Sequence, residues 1–252
     1  MASRRGQAID GVLLLDKPEG LSSNHALQRV KRTLDARKAG HTGTLDPFAT
    51  GLLVCCMGRA TKLSTALLDA DKRYLATLRF GVETDSGDPT GAVVAQTGAD
   101  FQGVAASALQ AVLDRFIGQI EQIPPMHSAL KRDGKPLYAY ARQGITLERA
   151  PRTITIHALT LIACDGMTAQ IDVHCSKGTY VRTLAQDIGR VLGCGAHLHA
   201  LRRLGVGPFH LDAGIALQTL QTLPDAKTAL IPLHALPAAL RATISPKDKG
   251  HL

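Results

Sequence analysis

Tryptophan is absent from the chain, and aromatic residues make up only 4% of it. A broad aromatic platform for stacking single-stranded bases is therefore excluded; any stacking must rest on one or two Tyr or Phe. Cysteine is sparse, with five residues at 55, 56, 164, 175 and 194, none of them in a Cys-x-x-Cys pair. That pattern supports neither a structural zinc site nor a disulfide framework. Cys55 and Cys56 lie inside the apolar run 52–57 and read as small core residues. No apolar run approaches the length of a membrane span, and no apolar stretch of a secretory signal follows Arg4 and Arg5. The expectation is a soluble, cytoplasmic, monomeric protein with no metal, no cofactor and no membrane partner.

What is present is charge of one sign. The 252 residues carry a formal net charge of +8 and a pI of about 9.4. The cations cluster: Arg29, Lys31, Arg32, Arg37 and Lys38 early, Lys131, Arg132 and Lys135 in the middle, Arg202 and Arg203 late. Clustering favours a polyanionic partner over charge that serves only solubility. The 45% hydrophobic content is ample for a folded core.

The periodicities mix strands and helices without a regular β-α-β beat, which indicates an α+β protein. Residues 11–15 form an apolar strand, and Ser22 or Ser23 caps a helix burying Ala26, Leu27, Val30 and Leu34. A helix is expected over about 59–69. Tyr74, Ala76, Leu78 and Phe80 alternate along a strand from 72 to 80. A further helix is expected over 104–117, with Ala105, Leu109, Val112, Leu113, Phe116 and Ile117 inward. Residues 152–175 read as two strands around an Asp165-Gly166 turn. A helix with Val181, Leu184, Ala185, Ile188 and Val191 on one stripe ends at Gly193. Arg182 falls off that stripe, facing solvent or a cleft. A strand over 196–209 and a helix around 214–223 complete the pattern. Between Pro124 and Pro151 the composition turns basic and loop-rich, as functional excursions often are.

One stretch stands apart, from Gly40-His41-Thr42-Gly43-Thr44-Leu45 through Asp46-Pro47-Phe48-Ala49-Thr50-Gly51. Its glycines permit backbone angles that other residues resist. Pro47 holds Asp46 away from helical angles. A lone carboxylate on such a turn either caps backbone or is displayed for chemistry. An ionised Asp can attack an electron-poor carbon, and glycosidases use carboxylates in this way at the anomeric carbon.

This stretch resembles the signature of the TruB family of tRNA pseudouridine-55 synthases. Further matches follow in the family's order. They are Gly11-Val12-Leu13-Leu14-Leu15-Asp16-Lys17-Pro18, Asp71-Lys72-Arg73-Tyr74, Gln122-Ile123-Pro124-Pro125 with Ser128-Ala129-Leu130-Lys131, Cys175-Ser176-Lys177-Gly178-Thr179-Tyr180-Val181-Arg182-Thr183, Gly193-Cys194-Gly195-Ala196-His197 and Leu201-Arg202-Arg203. The resemblance implies a mixed, mainly antiparallel central sheet flanked by helices, with a thumb-like RNA-binding insert at about 124–151. His127 stands in that insert where some relatives carry Tyr. The resemblance also implies one catalytic domain over 1–240 and a short polar tail over 241–252, without the C-terminal PUA-type domain of many bacterial relatives.

The implied activity is isomerisation of uridine 55 in the T-arm loop of tRNA. Asp46 is the implied nucleophile, by direct attack at C1′ or through a glycal, and Arg182 its ion-pair partner. Tyr74 stacks on the base near C5. His41, Tyr180 and Leu201 line the base site, Lys17 supports it, and Asp88, Lys131 and Arg202 complete the implied substrate contacts. Asp85 and Asp88, in a Gly-Pro loop, otherwise read as turn-formers. Two other functions fit parts of the sequence. A tRNA-folding factor would use the basic insert, alone or beside catalysis. A glycoside hydrolase would need a second carboxylate, for which Asp85 and Asp88 qualify only by type.

Overall fold

The computed structural model describes residues 6–244; the basic pair Arg4-Arg5 and residues 245–252 of the tail expected over 241–252 lie outside the described residues, while 241–244 continue the last helix. The chain starts with β1 (Gly11–Lys17), α1 (Ser23–Thr33), β2 (Ala39–Thr42) and β3 (Thr50–Met57). A 3-10 turn (Gly58–Leu63) leads into α2 (Ser64–Asp69), followed by β4 (Lys72–Phe80), β5 (Val82–Thr84) and β6 (Val93–Gln96). Next come α3 (Ala106–Asp114), β7 (Gly118–Gln122), β8 (Lys131–Arg132), β9 (Lys135–Pro136) and α4 (Leu137–Ala141). Then follow β10 (Arg152–Cys164), β11 (Thr168–Cys175), α5 (Val181–Val191) and β12 (Ala196–Val206). The last elements are β13 (Phe209–His210), β14 (Ile215–Ala216), α6 (Leu217–Thr222) and α7 (Ala238–Ile244). The class is α+β, as the periodicities indicate.

The chain groups into two units, residues 6–72 with 202–244, and residues 73–201. In the first, the strands lie in the order β14-β1-β3-β12. β1 and β3 are antiparallel over their full lengths, from Gly11 opposite Met57 to Lys17 opposite Gly51. Both are apolar without alternation, because both faces of the pair are covered. Val12, Leu14, Leu52, Val54 and Cys56 pack with Leu63, Leu67, Leu240 and Ile244 on one face. Leu13, Leu15, Leu53, Cys55 and Met57 pack with Leu27, Val30, Leu34 and Leu220 on the other. Burial pushes both core thiols up, Cys56 to about 12, so they are inert at neutral pH.

The free edge of β3 is divided. Residues 54–57 pair with β2, and Thr50 and Gly51 pair in parallel with Arg202 and Arg203 of β12. The segment 43–49 leaves the sheet at that division.

Two expected helices differ. The one expected over 59–69 begins as a 3-10 turn. There Thr61 Oγ1 donates to Gly58 O and Ser64 Oγ to Thr61 O, each at 2.8 Å, three residues back. The one expected over 214–223 starts at Leu217, because Ile215 and Ala216 pair in parallel with Leu15 and Asp16.

In the second unit the strands run β4-β11-β10-β7. β10 and β11 form the expected hairpin, with Asp165 Oδ1 accepting from the N–H groups of Met167 and Thr168 at its turn. Tyr74, Ala76, Leu78 and Phe80 are all buried along β4. α3 stops at Asp114, where Arg115 and Phe116 close three-residue turns onto Val112 and Leu113, and Ile117 is exposed rather than inward. The expected insert holds the β8–β9 hairpin and α4, with Leu137 and Ser128 buried as anchors.

Candidate active site

The Asp46 loop is fixed at every residue around the carboxylate. Leu45 is buried, and its backbone is gripped twice by Ser23: Leu45 N donates to Ser23 Oγ (2.8 Å), which donates to Leu45 O (2.9 Å). Pro47 O accepts from Gly20 N (2.8 Å) and from the Lys17 ammonium (3.3 Å). Ala49 is fully buried, and its N–H donates to Asp46 O. Asp46 itself is only partly buried, between two anchored neighbours. Such a side chain meets a reacting atom without the loop having to order first.

Two buried cations build this frame. Lys17, at the end of β1, has no solvent exposure and donates to Pro18 O (2.8 Å), Leu21 O (2.7 Å) and Pro47 O (3.3 Å). Its three donors are all committed, so its part in the site runs through the position of the loop. Burial lowers the Lys17 pKa to about 8; the Asp46 carboxylate opposes that shift and the Arg203 guanidinium adds to it. Arg203, 1% exposed on β12, donates through Nε to Leu52 O (2.7 Å) and through Nη2 to Gly43 O (3.0 Å). It thereby ties the start of the loop to β3. His41, on β2, is half-buried; burial first and the Arg203 charge second lower its pKa, so the ring is neutral at pH 7. Arg202, the neighbouring cation, points the other way and pairs with Asp16 at 2.7 Å and 3.2 Å.

Arg182, Tyr180, Asp88 and His127 come together at the start of α5. Of the two alternatives the sequence left for Arg182, solvent or a cleft, its 5% exposure excludes solvent. Nη1 donates to Ser86 O (3.0 Å), Nη2 donates to His127 O (2.7 Å), and Asp88 Oδ2 lies 3.5 Å from Nη1. Asp88 is equally buried and accepts from Ser86 Oγ (2.8 Å), Thr90 N (2.9 Å) and Thr90 Oγ1 (2.6 Å). It is thus both a turn-former and the carboxylate facing Arg182. His127 enters the site through its carbonyl. Tyr180 caps α5 and is clamped by Gln122, which accepts from Tyr180 N (2.8 Å) and donates to Tyr180 O (3.1 Å). Tyr74 and Leu201 are each 9% exposed, on β4 and β12. Lys131 is exposed on β8.

Three positioning residues escaped sequence reasoning: Arg203, Ser23 and Gln122. Alternation along β12 carried a signal for Arg203, since Leu201, Arg203 and Gly205 share the buried side while Arg202 lies opposite. Ser23 and Gln122 act through backbone contacts distant in sequence, which no local pattern marks. Among the described residues, no group of three or more His, Cys, Asp or Glu is arranged to hold a metal ion, and no helix is long and apolar enough to cross a membrane.

Comparison with known proteins fits this geometry. A model described as the N-terminal domain of TruB family pseudouridylate synthases matches residues 31–181. A model of the tRNA pseudouridylate synthase B C-terminal domain matches 182–250. The tRNA pseudouridine synthase B of Bordetella pertussis is 70% identical over 240 residues, covering 95% of this chain and 98% of that protein. Among solved structures, a Cbf5-Nop10-Gar1 complex matches with TM-score 0.69 and 30% identity, over 88% of this chain and 60% of that chain. An H/ACA RNP bound to a substrate RNA containing 2′-deoxyuridine matches with TM-score 0.64 and 26% identity, over 92% of this chain and 58% of that one. On the two model matches and the 70% identity, the chain belongs to the TruB family of pseudouridylate synthases.

Proposed function

We propose that the chain converts uridine 55 in the T-arm loop of tRNA to pseudouridine, with Asp46 as the nucleophile. The observation that carries this reading is the Asp46 loop, a partly exposed carboxylate whose two neighbours are each pinned by hydrogen bonds. In the reaction the N1–C1′ bond breaks, the uracil turns, a C5–C1′ bond forms, the C5 proton leaves and N1 gains a proton, so that the product is an isomer of the substrate. No electron is gained or lost and no water is added, so the balance needs no redox group. A base in a folded loop must first leave its stack, at a cost of a few kcal/mol.

In this reading Arg182 is the counter-charge that keeps Asp46 ionised, and Asp88 with the Ser86 and His127 carbonyls holds that guanidinium in one orientation. Tyr74 stacks on the uracil, Tyr180 and Leu201 wall its site, and neutral His41 lies against the RNA. Lys131 and the rest of the 124–151 insert meet phosphates, which position the arm without specifying it. Residues 1–240 act as one catalytic domain, monomeric and cytoplasmic, and tRNA folding is an additional role for the same RNA grip.

The test is a nuclease digest of a T-arm RNA after incubation with the enzyme, separated chromatographically. One pseudouridine per RNA, at position 55, and no free uracil is the expected result. Free uracil would instead make the chain a hydrolase.

A further inference from the structure

The early basic cluster is not used by this mechanism, and part of it lines a cavity at the opposite end of the strands that carry Asp46. The cavity, about 630 Å³, opens among Asp10, Arg37, Lys38, Arg59, Thr61 and Lys62. Its lining residues Asp10, Lys38 and Gly58 are the chain neighbours of Gly11 in β1, Ala39 in β2 and Met57 in β3, which pair at that end of the sheet. The Asp46 loop leaves from the other end, where Lys17 opposes Gly51. Six residues of strand separate the two ends, about 20 Å at roughly 3.3 Å per residue.

The site is cationic and its backbone is fixed. Asp10, the single carboxylate among the described residues lining the cavity, accepts from Arg59 N (2.7 Å) and Arg59 Nε (2.6 Å), so its charge is met by Arg59. Arg37, Lys38 and Lys62 are left as surplus positive charge, and all three are exposed. Arg37 N donates to Gln7 O (2.8 Å), and Gly58 N donates to Lys38 O (2.9 Å). Gly58 sits at φ +55° against Ile9 O and the Asp10 carboxylate, leaving no room for a side chain. Three cations on pinned backbone around an open cavity suit several phosphates in a row. Among the described residues the cavity lining holds no aromatic ring for a base to stack on, which argues against a nucleotide and for a phosphate backbone.

We infer that this cavity is a second RNA contact, binding backbone phosphates of the same tRNA outside the T-arm. The inference rests on the proposed function for the identity of the RNA. The test compares wild type with the triple variant Arg37→Glu, Lys38→Glu, Lys62→Glu, by fluorescence anisotropy, on full-length tRNA and on an isolated T-arm hairpin. The variant should bind full-length tRNA about 10-fold or more weakly, and its log-log salt slope should fall by about 2 to 3, the loss of three phosphate contacts. Hairpin affinity and turnover of the hairpin should match wild type, which also shows that the variant is folded. Full-length affinity within twofold of wild type, or equal losses on both RNAs, would overturn the inference. So would loss of inorganic phosphate binding with tRNA affinity kept, which would make the cavity a small-anion site. Because anisotropy needs no turnover, a wild type that makes no pseudouridine would count against the proposed function without altering this result.

Discussion

Gly51→Ala should damage the enzyme far more than Gly193→Ala, although both glycines are left-handed. Gly51 has φ +94°, where an L side chain costs about 1–2 kcal/mol. Gly193, beyond α5, has φ +76° and nothing within 4 Å of the point an added methyl carbon would occupy, so alanine there carries the strain alone. At Gly51 the added carbon would overlap Arg203 O, and would lie 2.7 Å from Arg203 N and 3.0 Å from Arg203 C. Relief requires β12 to withdraw from β3 by roughly 1 Å, given carbon contacts near 3.5 Å. Arg203 holds Gly43 O and Leu52 O, so that shift moves the loop bearing Asp46. A displacement of about 1 Å at a catalytic group can cost about 100-fold in rate. Gly193→Ala should therefore lose about 1 kcal/mol, about 2–4 °C in Tm, with its single-turnover rate intact. Gly51→Ala should lose about 3 kcal/mol, strain plus overpacking, and about 100-fold in rate. Thermal unfolding and single-turnover kinetics measure both. Equal Tm losses with equal rates in the two variants would refute the close-approach argument.

Two further outcomes follow from the buried charges. Lys17 has a folded pKa of about 8 against 10.5 unfolded, so between those values the unfolded chain binds more protons and this group adds stability as pH rises. The rate should move oppositely, falling above about pH 8 as an amine with two donors faces three carbonyls; Lys17→Met should lack that inflection in its pH–rate profile. Asp88→Asn removes one carboxylate beside the buried Arg182, which keeps the Ser86 and His127 carbonyls, and should cost about 1.5–3 kcal/mol, read as a lower urea midpoint at unchanged m-value. The exposed Arg73–Asp172 pair is the contrast: Arg73→Ala should move that midpoint by less than about 1 kcal/mol.

Much of this architecture was legible in the sequence. The apolar runs 11–15 and 52–57 became the paired strands β1 and β3, and alternation in β4 named its buried side correctly. The ordered motifs located the Asp46 loop and the start of α5. The misses have physical causes. Arg182 departed from the helix stripe, which left solvent or a cleft open, because its burial depends on Ser86, His127 and Asp88, all distant in sequence. The helix expected over 59–69 tightened at its start because two hydroxyls compete for backbone carbonyls. Arg203 was read with Arg202 as one basic pair, yet the pleat sends one to solvent and buries the other among loop carbonyls.

Tritium release decides whether Asp46 carries the isomerisation. A T-arm RNA labelled at uridine C5 is incubated with wild type and with Asp46→Asn, and tRNA binding is measured in parallel. Forming the C5–C1′ bond displaces the label, so wild type should release it stoichiometrically. Asp46→Asn should release none while still binding tRNA. Release by Asp46→Asn at the wild-type rate would contradict the role of Asp46 and, with it, the proposed chemistry of the loop.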